Sequence, residues 1–119
     1  MSSPVATNMD TLRQGLEQRN TELLIAMYAD NAVVQVVDKN NQPSSPLILR
    51  GKQAIAAFFR DIGSRDMTHQ LTDEVVGNDR ISFNEASQYA SGERVLSASV
   101  LDLQNGEIVR HVIVLAWDE

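Results

Sequence analysis

The sequence predicts a single α+β domain, with three helices in the N-terminal half packed on a mixed, mainly antiparallel sheet of about six strands. Three observations carry this. The hydrophobic period changes from helical to alternating at Met67 and stays alternating to the end of the chain. Short Gly- and Asn-containing breaks, Gly77-Asn78-Asp79 and Ser91-Gly92, divide that half into long strands that must run antiparallel. Asn105-Gly106 then joins two β-branched runs, the pairing expected of a type I′ hairpin whose central residues both need positive φ.

In chain order, Met1–Ala6 reads as a disordered leader and residues 7–119 as the domain. Thr7 is placed to cap a first helix, with Asp10 in its first turn and Met9, Leu12 and Leu16 on one apolar stripe. Gly15 weakens that helix. Asn20 caps a second, short helix whose buried face holds Leu23, Leu24, Met27 and Tyr28 and which ends near Ala29-Asp30-Asn31. Ala32–Asp38 is a β-branched strand, and Lys39–Pro46, rich in Asn, Ser and Pro, is a loop. Leu47–Leu49 is a short strand. Arg50-Gly51 leads into the clearest helix, with Ile55, Phe58, Phe59 and Ile62 at i, i+3, i+4 and i+7 and Gly63 at its end. Four strands follow: Met67–Val76, Arg80–Ala90, Val95–Leu103 and Ile108–Trp117.

The last strand is apolar on both alternating faces apart from Arg110 and His111, so both faces need cover. Three helices cover only one face of the sheet. The other face, with Leu96, Ala98, Val100, Ile108, Val112, Val114 and Ala116, calls for a second copy of the chain, and a homodimer through the convex sheet face is expected.

Composition narrows the function. The net charge is −6 and Lys39 and Lys52 are the only lysines, so there is no basic run to neutralise phosphates, and neither nucleic acid nor an anionic membrane is an expected partner. The absence of cysteine excludes disulfides, thiolate metal sites and cysteine nucleophiles. The first residues lack the basic and apolar regions of a signal peptide, and no apolar run approaches the ~20 residues of a membrane span. A soluble, cytoplasmic protein is the expectation. Neither a Gly-rich phosphate loop nor a G-x-S-x-G elbow occurs.

Three segments resemble one known group. Met27-Tyr28-Ala29-Asp30-Asn31-Ala32-Val33-Val34 is similar to the junction from second helix to first strand in the nuclear transport factor 2-like superfamily, which includes ketosteroid isomerases and SnoaL-like polyketide cyclases. Arg50–Phe59 is similar to its "G…I..F" third helix, and Gly106-Glu107-Ile108-Val109-Arg110-His111 to the opening of its last strand. The resemblance implies a cone-shaped, cystatin-like α+β fold. Its highly curved sheet wraps a long helix and leaves an apolar pocket open at one end. It also argues against ketosteroid isomerase activity: the family's tyrosine falls at Leu12, its base at Val36 and its neutral acid at Leu101 or Ser99. The last-strand aspartate of SnoaL-like cyclases falls at Ile113, and only that motif's histidine persists, as His111.

The candidate catalytic residues are therefore His111, Asp38 and His69. His111 shares strand parity with Val109, Ile113, Leu115 and Trp117, and a neutral imidazole in an apolar pocket can serve as acid or base near neutral pH. The alternative is a core histidine bonded to backbone. His69 is either a second imidazole in the same pocket or a rim residue. Asp38 either orients a histidine or starts the following loop; paired with His111 it would resemble the aspartate–histidine dehydratases of the superfamily. Glu85, on the apolar parity of its strand, either faces the pocket as an acid or is solvated. Tyr28, Phe58, Phe59, Phe83, Glu85, Tyr89, Ser99, Leu101, Ile113 and Trp117 are the expected ligand-binding set. Two histidines on separate strands with no acid at fixed spacing give no metal site, and no cofactor is expected.

Two functions fit these expectations. One is a cofactor-free isomerase, cyclase or dehydratase moving a proton on a small apolar molecule. The other is a non-catalytic dimeric domain binding an apolar ligand or a protein partner.

Overall fold

The computed structural model describes residues 5–118. Helices α1 (Met9–Leu16) and α2 (Thr21–Ala26) precede strands β1 (Tyr28–Val37) and β2 (Leu47–Arg50). Helix α3 (Lys52–Gly63) follows, then β3 (Met67–Val76), β4 (Arg80–Tyr89), β5 (Arg94–Gln104) and β6 (Glu107–Trp117). The strands form one six-stranded sheet in the order β2-β1-β6-β5-β4-β3. Only β1 and β6 run parallel; every other neighbour pair is antiparallel. Helix α3 packs on β1 and β2 while α1 packs on β3 at the opposite edge, so the sheet bends around the helical layer. Among the described residues no helix is long and apolar enough to cross a membrane.

Local chemistry explains most boundaries and moves a few of them. The α1 cap is Asn8, not Thr7: Asn8 and Thr11 form a reciprocal capping box. Thr7 is instead buried, its N–H donating to the Gly106 carbonyl at 3.0 Å. Of the expected leader, Met1–Ala6, residues 1–4 lie outside the described residues, and Val5 packs against the core. Gly15 sits where a Cβ would lie 2.9 Å from Leu24 Cβ, so its missing side chain lets α1 and α2 cross closely. Helix α2 ends at Ala26, and Tyr28 is the first strand residue rather than part of the helix face. The Met27 carbonyl accepts from Ile108 N–H at 2.9 Å, which draws the chain into parallel pairing with β6. Asn105 (φ 54°) and Gly106 (φ 79°) both adopt the left-handed region that the hairpin requires.

One face assignment changes. Ile108 is fully buried rather than on the convex side, because a register shift between Asp102 and Leu103 reverses the alternation near the hairpin. Beyond the shift the expected parity holds: Leu96, Val100 and Val114 stand on the convex face, 52%, 38% and 48% exposed.

Candidate active site

Strands β3 to β6 present one continuous concave face, and the register sets its chemistry row by row. His69 pairs with Ser87, Ser87 with Val95 and Val95 with Trp117. In the next row Leu71 pairs with Glu85, Glu85 with Ser97 and Ser97 with Leu115. A further row holds Phe83, Ser99 and Ile113. Depth along the strands decides what each row does. Toward the Asn105-Gly106 turn the face is filled: Ile81, Phe83, Leu101 and Ile108 are fully or almost fully buried. Toward the other end a cavity of about 100 Å³ opens between the sheet and the helices, walled mainly by Phe58, Phe59, Ile113, Leu115 and Trp117.

Two polar groups face that cavity from the sheet. His69 Nδ1 lies 3.1 Å from Glu85 Oε2 and 2.8 Å from Ser87 Oγ. The His69 and Glu85 side chains are only 7% and 14% exposed, and both line the cavity. A carboxylate at Nδ1 favours the tautomer that carries its proton there, which leaves Nε2 with its lone pair as a base. Glu85 on the apolar parity of β4 is thus held by an imidazole rather than by solvent.

His111 has a different setting. It does not line the cavity. Its Nδ1 is 2.7 Å from Tyr28 Oη and its Nε2 2.9 Å from Ser99 Oγ, all three groups being buried. Tyr28 and Phe59 stack on the imidazole at centroid distances of 6.1 and 6.5 Å, and Phe59 is also cavity wall, so His111 sits behind that wall. Each hydroxyl can donate or accept, so a neutral imidazole is satisfied in either tautomer. Burial lowers its pKa to about 3. The Tyr28 phenol is pushed well above its usual value by burial first and by the Glu85 charge second.

Of the expected site residues, the structure brings together His69, Glu85, Phe58, Phe59, Tyr89, Ile113 and Trp117 around the cavity. Tyr28, Phe83, Ser99 and Leu101 lie in the packed end instead. Asp38 lies four residues beyond Val34, the β1 residue that pairs with His111. Its Oδ1 accepts from Asn40 N–H at 2.9 Å and Asn41 N–H at 2.8 Å, which makes it the organiser of a tight turn. The acid–histidine pair among the described residues is Glu85–His69, and of the two readings of Asp38 the loop-starting one holds. Sequence reasoning passed over Ser87 and Ser97, whose parity with Glu85 was readable, and over Arg19 and Arg65, which line the cavity from the helix termini where no periodicity marks them. Trp117 Nε1 is buried without a hydrogen-bond partner among the described residues.

Residues 10–111 match the family model of the SnoaL-like domain. The chain belongs to the SnoaL-like family. Solved structures agree on the fold of this SnoaL-like domain. A nuclear transport factor 2-like protein of unknown function from Mesorhizobium loti superposes with a TM-score of 0.79 at 17% identity, covering 91% of this chain and 87% of that one. A protein from Kribbella flavida, provisionally named a ketosteroid isomerase, gives 0.75 at 15% identity over 93% and 75% of the two chains. One from Sinorhizobium meliloti, provisionally named a polyketide cyclase, gives 0.68 at 16% identity over 88% and 91%. No curated protein matches this chain in sequence.

Proposed function

We propose that the cavity is the active site of a cofactor-free proton-transfer enzyme, an isomerase, cyclase or dehydratase acting on a compact, largely apolar substrate. The observation that carries this reading is the His69–Glu85 pair: two nearly buried titratable groups in contact, facing an otherwise apolar cavity. Ser87 Oγ holds Nδ1 with the Glu85 carboxylate beside it, Nε2 takes a proton from the substrate carbon or hydroxyl, and the imidazolium that forms beside the carboxylate returns it. The apolar wall excludes water and so strengthens the interaction between the developing charges. The fold's other members provisionally named isomerase and cyclase support the class and no more than the class.

The test is deuterium incorporation from heavy water into small enones and β-keto compounds, followed by proton NMR. The wild type should catalyse exchange, and His69→Gln and Glu85→Gln should each lower the rate by about 10²- to 10⁴-fold. Equal rates in wild type and His69→Gln would remove the pair as the proton carrier. A second reading, a non-catalytic binding domain, is favoured by the full engagement of His111, the motif's histidine, with protein hydroxyls. In either case we propose a homodimer through Leu96, Val100 and Val114.

A further inference from the structure

The rim of the cavity is charged in a way that the proposed chemistry does not use. Arg19 and Arg65 both line it. The Arg19 guanidinium donates to the Gly63 carbonyl at 2.7 Å and to the Arg65 carbonyl, so its position is fixed by the end of α3. Its own backbone is in the left-handed region (φ 58°), which turns the chain between α1 and α2 and carries the side chain across to α3. Among the described residues no carboxylate lies within ion-pair distance of Arg19. Arg65 donates to Tyr89 Oη at 2.9 Å and to Asp61 Oδ2 at 2.6 Å. Tyr89 in turn stacks on Trp117 at 6.0 Å, and Lys39 Nζ lies 4.4 Å from the centre of the Trp117 ring. Two guanidinium groups, that of Arg65 paired with Asp61, and the stacked Tyr89 and Trp117 rings thus line one cavity, in a chain whose net charge is −6.

The two ends of the cavity have opposite character. The Glu85 carboxylate lies on the sheet wall, and the guanidinium groups lie where the helices end. A ligand carrying a negative charge is repelled from the first and attracted to the second, so charge alone gives it one orientation. Fixed guanidinium donors suit a carboxylate, whose two oxygens accept from planar N–H forks.

We propose that the substrate is an organic acid with a compact apolar body, its carboxylate held at the rim by Arg19 and Arg65 and its body directed into the cavity toward His69. The proposal rests on the reading of the cavity as the functional site and names the class of molecule it takes.

The probes are 3-phenylpropanoate and the isosteric, uncharged 3-phenylpropanamide, with binding followed by NMR chemical-shift titration. The wild type should bind the carboxylate at least about tenfold more tightly than the amide, the worth of one charge-assisted hydrogen bond. That preference should shrink with added salt and fall to near unity in Arg19→Gln and in Arg65→Gln. Arg19→Lys, which keeps the charge, should retain part of it, and this separates charge recognition from loss of the contact with α3. His69→Gln should leave the preference intact, so that failure of the proton-transfer reading shows as unchanged exchange in that variant while the carboxylate preference stands. Equal binding of the two probes, no binding of either, or a preference that survives in both arginine variants would overturn the proposal.

Discussion

Acidification tests the placement of His111 without any ligand. The group is neutral in the native fold, where burial lowers its pKa to about 3, whereas in the unfolded chain it titrates near its ordinary value of about 6.5. Between those values the unfolded state binds more protons, so stability falls as pH falls, and this contribution is fully present only above the unfolded pKa. For a single site the loss from pH 7 to pH 5 is about 2 kcal/mol, and any native pKa below about 4 gives nearly the same figure. The assay is urea denaturation of wild type and His111→Gln at pH 7, 6 and 5. Every other titrating group is common to both proteins and cancels in the difference. The stability advantage of wild type over His111→Gln should shrink by about 2 kcal/mol across this range. A difference independent of pH would refute the buried, neutral imidazole and the hydroxyl pair built around it.

Other consequences follow from the same contacts. Tyr28→Phe leaves His111 Nδ1 without its 2.7 Å partner and should cost about 1–3 kcal/mol in the same denaturation assay; unchanged stability would show that this bond is replaceable. Gly15→Ala gains about 1 kcal/mol of helix propensity but forces a Cβ to 2.9 Å from Leu24 Cβ, an overpacking worth about 1–3 kcal/mol. The melting temperature should therefore fall, and a rise would show that α1 and α2 separate easily. Leu96→Glu with Val114→Glu places charges on the convex face and should convert a dimer to monomers in sedimentation velocity. A wild type that is already monomeric at micromolar concentration would exclude the interface.

The fold was legible because its signals are periodic. The helical spacing of Ile55, Phe58, Phe59 and Ile62, the Asn105-Gly106 turn and the alternation of Arg80–Tyr89 each state one element, and the observed β4–β5 register runs without interruption from Arg80↔Asp102 to Gln88↔Arg94. Parity also selected the concave face of β4 and β6. It failed at Ile108, because a register shift carries no compositional mark in this chain.

The site was less legible for a geometric reason. Alternation tells which face a side chain takes but not how far along the strand the space opens. His111 pairs with Leu101 near the hairpin, where the sheet is filled, while Ile113, Leu115 and Trp117 on the same face reach the cavity. The partnership of His69 with Glu85 spans two strands and depends on the β3–β4 register, which the turn at Gly77-Asn78-Asp79 did not reveal. Arg19 and Arg65 lie between elements, where position comes only from tertiary packing.

The chain has two histidines, so their accessibility can be read one against the other. The direct measurement is ethoxyformylation of the native protein with diethylpyrocarbonate, mapped by mass spectrometry of the peptides. His69, which lines the cavity and whose Nε2 has no partner among the described residues, should be modified in the folded protein, and His111, with both ring nitrogens bonded to buried hydroxyls, only after unfolding. Modification of His111 in the native fold, with His69 inert, would contradict the assignment of the cavity's proton carrier.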